Sequence, residues 1–170
     1  MIRSRWRRTP IALLAVGVAA VVLSGCSTIG PLLDPDAPVR DDEGQIVEPN
    51  EQTDAFALQV GDCLDDAAAT GEVTTVPTVP CSEPHDSEIY AAFELTQSAY
   101  PGEETTQGKA DALCLPAFEE FVGEPYLESR FDFAYYYPTE ESWASGDREV
   151  LCVIYDPAGP VTGSLRGVTD

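Results

Sequence analysis

The stretch 81–90, "CSEPHDSEIY", places the single histidine of the chain, His85, beside Asp86 and Glu88, with a cysteine four residues before it. Two kinds of chemistry use such residues. A hydrolytic metal centre needs about three protein ligands and one open position. His85, Asp86 and Glu88 would supply three, with further carboxylates from "GDCLDD" at 61–66. A nucleophile, a base and an orienting acid are also present as Ser82, His85 and Asp86. Both readings meet obstacles. No second histidine supports the metal, and three triad members so close in sequence do not converge easily. Local backbone chemistry accounts for the same residues. Pro84 pre-sets a turn, Asp86 accepts from nearby backbone N–H groups, and Glu88 opens a strand. The favoured reading is a turn that leads into a strand. A non-catalytic recognition surface holding His85, Asp86 and Glu88 comes second, and no metal or other cofactor is expected.

A second constellation is Trp143, Asp147 and Arg148. An Asp147–Arg148 pair would fix the start of the strand that follows. The sharper alternative is an arginine that receives a carboxylate or phosphate ligand. The run Tyr135, Tyr136 and Tyr137 alternates in facing, which predicts at least one exposed ring able to stack on a sugar.

These residues must be positioned by a domain, and the N-terminus indicates where it sits. "MIRSRWRR" has four arginines and no acid, and a thirteen-residue apolar run follows from Ile11 to Leu23. This is the pattern of a secretory signal peptide, and the run is shorter than the roughly 20 residues that span a bilayer. Leu23-Ser24-Gly25-Cys26 resembles the lipobox of bacterial lipoproteins. The resemblance implies cleavage after Gly25 and lipidation of Cys26. Acyl chains would then anchor the protein to the outer face of the cytoplasmic membrane.

The chain has 30 acidic and 9 basic residues, for a formal charge of −21. Removing the leader at 1–25 takes its four arginines and brings the charge to −25. Such a surface repels phosphate backbones and anionic headgroups, which excludes nucleic acid as a partner. Membrane attachment falls to the lipid. Residues 26–53 read as the lipidated cysteine and a disordered acidic, proline-rich tether, too poor in apolar residues to offset ordering entropy.

Residues 54–170 are long enough for one core. "AFALQVGDCL" reads as a strand entering a turn, and "EVTTVPTV" as an edge strand or a strand end because of Pro77 and Pro80. "SEIYAAFEL", "FDFAYYYPT" and "REVLCVIY" read as strands, the last as the core strand. "YPGEETTQG" reads as a loop. In "KADALCLPAFEEFVG", Ala110, Leu113, Cys114, Ala117, Phe118 and Phe121 share one helical face. Gly123 stops that helix and Pro116 is expected to kink or split it. "TEESWASG" is one helical turn capped by Thr139, and "PAGPVTGSLRG" a hairpin-like return. The sum is a small single α+β domain of mostly antiparallel strands around one main helix.

Cysteines other than Cys26 number four, an even count that suits disulfides in an exported domain. No C-x-x-C pair favours zinc or redox chemistry. Of the three pairings possible, Cys63–Cys81 ties the first strand to the end of the second, and Cys114–Cys152 pins the helix to the core strand.

The pieces "VGDCLDD", "VPCSEPHDSEIYAAFEL", "YPGEE", "FEEFVG", "YYPTEESWASGDREVLCVIYD" and "TGSLRG" together resemble the septum formation domain of actinobacterial envelope proteins. The resemblance covers nearly all of 56–167, and Pro116 departs from the usual smooth helix. It implies an extracytoplasmic domain carried on a lipid anchor or beside a membrane span, near cell division. Two classes of function follow. The first is a non-enzymatic binding or scaffolding module of the envelope, partnered by an envelope or division protein or a wall polymer. The second is a wall-polymer hydrolase or metal-dependent enzyme using His85 and nearby carboxylates. No catalytic motif marks the second.

Overall fold

The computed structural model describes residues 36–67, 69 and 71–169. The leader, Cys26 and the first part of the expected tether lie outside the described residues. Among the described residues no helix is long and apolar enough to cross a membrane.

Six antiparallel strands form one curled sheet: β1 (Asn50–Asp54), β2 (Cys63–Leu64), β3 (Thr75–Val79), β4 (Ser87–Glu94), β5 (Asp132–Tyr136) and β6 (Glu149–Tyr155). Their spatial order is β1-β3-β2-β4-β6-β5. β4 and β6 make the central pair, in register from Ser87↔Tyr155 to Glu94↔Glu149, with a bulge between Ile89 and Ala91. β6 is apolar at nearly every position because both its faces are covered. Val150, Cys152 and Ile154 join the core under the main helix, and Leu151 and Val153 join a second cluster with Leu58, Leu64, Val76 and Ile89.

The main helix α1 (Glu103–Val122) buries Thr106, Ala110, Cys114, Phe118, Phe121 and Val122 against the sheet. This is the expected face, with Leu113 and Ala117 at its margin. Phe118 is fully buried. Its ring meets Tyr90 at 6.1 Å, Tyr126 at 5.4 Å and Phe133 at 6.0 Å. Such an aromatic centre contributes several kcal/mol, since Phe→Ala in a core costs about 3–5 kcal/mol. Gly123 ends α1 in the left-handed conformation at φ 91°, as its position predicts.

The helix differs from expectation in two ways. It starts at Glu103, inside the stretch read as a loop. Two acids sit in its first turn, where the helix dipole favours them, and the Thr106 hydroxyl donates to the Gly102 carbonyl at 3.0 Å. Pro116 also fails to split it. Pro116 and Ala112, whose carbonyl loses its helical donor, both lie on the exposed side of the helix, where that carbonyl is not forced to be buried unpaired. The short helix α2 (Glu140–Ala144) has the expected Thr139 cap, completed into a reciprocal capping box by Ser142.

Both disulfides form as the element assignment predicts. Cys63–Cys81 has Cα atoms 5.2 Å apart and Cys114–Cys152 has them 5.6 Å apart. They close separations of 18 and 38 residues, each stabilising by about 3–4 kcal/mol in the loop-entropy account.

The largest correction is at the N-terminal boundary. Residues 36–53, expected as tether, are part of the fold. Arg40 and Ile46 form an isolated antiparallel bridge, Ile46 is buried, and β1 pairs with β3. The Arg40 guanidinium grips both oxygens of buried Asp62 and donates to the carbonyls of Gly44 at 2.9 Å and Ala57 at 3.1 Å. Acid and proline content concealed this segment because its order comes from one ion pair and a strand edge, with no apolar periodicity. β3 is consequently an interior strand. The β1 register shifts between Asn50 and Thr53, opposite Pro77, and the bulge accommodates a residue with no N–H. "AFALQVGDCL" holds a 3-10 turn at Ala55–Ala57 and only the two residues of β2. The Asp54 side chain caps that turn through the Phe56 N–H, drawing the backbone away from a ladder.

Candidate functional site

The residues of "CSEPHDSEIY" do not converge. His85 is buried and its backbone exchanges hydrogen bonds of 2.9 Å in both directions with Val161. Its Nδ1 bonds the Glu83 carbonyl at 2.9 Å, and its Nε2 is buried without a partner. The turn reading holds, and a backbone carbonyl within the turn fixes the His85 ring. Glu88 is buried and receives two 2.7 Å hydrogen bonds, from the Ser164 hydroxyl and the Leu165 N–H. It therefore straps residues 156–169 across the end of the sheet. This segment was expected to return as a hairpin. Instead it crosses to His85, to the Cys81 carbonyl through Gly163 N–H at 2.7 Å, and to the Phe121 carbonyl through Gly167 N–H at 2.9 Å. Among the described residues no three His, Cys, Asp or Glu side chains come together as metal ligands.

Asp86 alone of the three faces an accessible site. Its carboxylate accepts from the Ala67 N–H at 2.9 Å and lines a groove of about 570 Å³. The groove lies on the face of the sheet opposite α1. Ala134, Val153 and Val73 give it apolar surface, and Tyr136, Tyr155, Asp66 and Asp156 bring polar groups to it. β5 and β6 supply the floor. The loop after β2 and the turn after β6 supply the walls. Asp66 joins them: it accepts from the Ser87 hydroxyl at 2.7 Å and from the Tyr136 hydroxyl at 2.6 Å. These partners are 21 and 70 residues away, so no local motif announces the network.

The electrostatics of the groove are uneven. Burial, and then the Asp66 charge, hold the Tyr136 phenol well above the ordinary tyrosine range, so it remains a donor. Burial and then Asp132 raise Tyr155. Beside the groove, the Asp65 carboxyl is raised above 3.8, first by its hydrogen bond with the Asp86 side chain, then by burial and by the charges of Asp86, Glu51 and Asp66. Asp156 has its own cation, Arg130, at 3.2 Å.

The Trp143 constellation is structural in its contacts. The Arg148 guanidinium stacks 3.9 Å from the Trp143 ring centroid and donates to the carbonyls of Trp143 and Asp147. The expected side-chain pair with Asp147 does not form. Asp147 instead accepts from the Ser142 hydroxyl at 2.8 Å and the Glu149 N–H at 3.0 Å, closing α2 onto β6. The three tyrosines alternate as expected, but none is fully exposed. Tyr135 and Tyr137 stack on each other at 5.9 Å, and the Tyr137 hydroxyl accepts from Gln107 at 2.7 Å. Tyr136 turns to the groove.

The comparison with curated proteins and the comparison with solved structures found no match. A family model described as Septum formation matches residues 39–152, more than half of the chain. Its first matched residue is Val39, next to Arg40.

Proposed function

The chain belongs to the Septum formation family, and we propose that it acts as a lipid-anchored, extracytoplasmic binding module of the cell envelope, working near septum formation with no chemistry of its own. One observation carries the reading: the accessible groove combines apolar floor, tyrosyl groups and carboxylates, while the reactive side chains lie elsewhere. The cysteines at 63, 81, 114 and 152 are paired, and the His85 ring is buried against a backbone carbonyl. Pockets with an apolar lining and a few fixed polar groups are suited to recognition. The leader pattern at 1–25 and the lipobox-like Leu23-Ser24-Gly25-Cys26 support an anchor on the outer face of the membrane.

The test is incubation of purified full-length chain with isolated envelope material, with and without divalent metal, measuring released fragments and retained protein. Retention without fragments is expected. Fragments released by wild type and lost in His85→Ala would overturn the reading, because a histidine general base contributes about 10²–10⁴-fold to a rate.

A further inference from the structure

We propose that the groove between β5 and residues Asp66, Ala67 and Val73 receives a lysine side chain, delivered by an extended segment of a partner protein that pairs with the outer edge of β5. The inference rests on the binding reading above and names its ligand.

Two independent features point there. The first is the sheet edge. Among the described residues β5 pairs on one side only, with β6, and stands last in the strand order. An added strand would run along Asp132–Tyr136, and its alternate side chains would fall on the groove face, where Ala134 and Tyr136 lie. An extended polypeptide fits this edge, and a sugar polymer cannot complete its hydrogen bonds in the same way. The second is the chemistry of the groove. Val73, Val153 and Ala134 suit a methylene stem, and the Tyr136 and Tyr155 rings with Asp66 and Asp86 suit an ammonium head. Asp156 is already matched by Arg130, but among the described residues Asp66 and Asp86 have no ion-pair partner, and the chain as a whole carries −21.

The experiment uses the full-length chain in detergent, isotope-labelled for NMR, titrated with three blocked peptides of one β-strand length. One has a central lysine, one norleucine, and one acetyl-lysine. The lysine peptide is expected to give saturable shifts at Ala134, Tyr136 and Val153, weakened by salt, while the other two give none. Asp86→Asn keeps an oxygen for the Ala67 N–H and is expected to weaken binding about tenfold, the loss of roughly one charged contact. Equal binding of the norleucine peptide, shifts on another face, unchanged affinity in Asp86→Asn, or no shift at all would overturn the proposal. Envelope material retained through the groove while lysine peptides give no shift would refute the lysine ligand and leave the binding module standing. Lysine peptides bound by a protein that cuts envelope material would do the reverse.

Discussion

Arg40→Ala is expected to destabilise the domain more than any other single change to a side chain outside the two cores. Arg40 lies in a segment whose composition reads as tether, yet its guanidinium grips Asp62, whose side chain is 2% exposed. The substitution removes both contacts to that carboxylate and the bonds to the Gly44 and Ala57 carbonyls. Asp62 keeps only the Gln59 N–H at 2.8 Å. Removing one partner of a buried pair leaves a charge without compensation and costs about 3–5 kcal/mol. For a domain between the small and mid-sized classes, each kcal/mol lowers Tm by roughly 3–5 °C, so a fall of about 10–25 °C is expected. Thermal unfolding followed by near-ultraviolet circular dichroism reads it under non-reducing conditions. The double variant Arg40→Ala/Asp62→Asn should be less destabilised than the sum of the two single variants, because Asn leaves no buried charge. A loss under about 0.5 kcal/mol for Arg40→Ala, the level of an exposed pair, would refute the placement of this segment in the fold.

Deleting residues 158–170 should cost several kcal/mol, because Glu88 loses the Ser164 and Leu165 donors while its surroundings stay largely apolar; Glu88→Gln in the truncated chain should recover part of the loss in a denaturant titration. Stability should be intact below about pH 10, the unfolded tyrosine value, and fall as pH rises above it. The sign follows because Tyr90, Tyr126, Tyr135, Tyr136 and Tyr155 all have phenols raised in the folded state. Ultraviolet titration should show Tyr90 and Tyr136 ionising only as the protein unfolds. Replacing Cys114 and Cys152 together by alanine should cost about 3–4 kcal/mol and leave Cys63–Cys81 intact in peptide maps.

The core was legible where pattern and burial coincide. β4, β6, the buried face of α1, the Thr139 cap and both disulfides follow from apolar runs, helical spacing and cysteine arithmetic, since each rests on local periodicity or on a small set of alternatives. The N-terminal segment was not legible, because Arg40–Asp62 is one polar contact across 22 residues in an otherwise acidic stretch. Of the two readings of the β3 prolines, the strand end holds at Pro80, which follows Val79, and the edge does not, because the bulge that accommodates Pro77 belongs to β1, elsewhere in the chain. At the site, Asp86 was visible from its turn chemistry. Its groove partners Asp66 and Tyr136 lie in separate elements that only the folded sheet brings together, and Glu88 alternates with groove-facing Ser87 to the other face of β4.

The binding account is tested most directly by cross-linking in living cells. A photoreactive residue replaces exposed Ala67 at the groove rim of the full-length, lipidated chain, with exposed Leu127 as the control position. A discrete protein adduct from position 67, diminished by Asp86→Asn and missing from position 127, is the predicted result. Equal adducts from both positions, or none from position 67, would contradict a binding module that works through the groove.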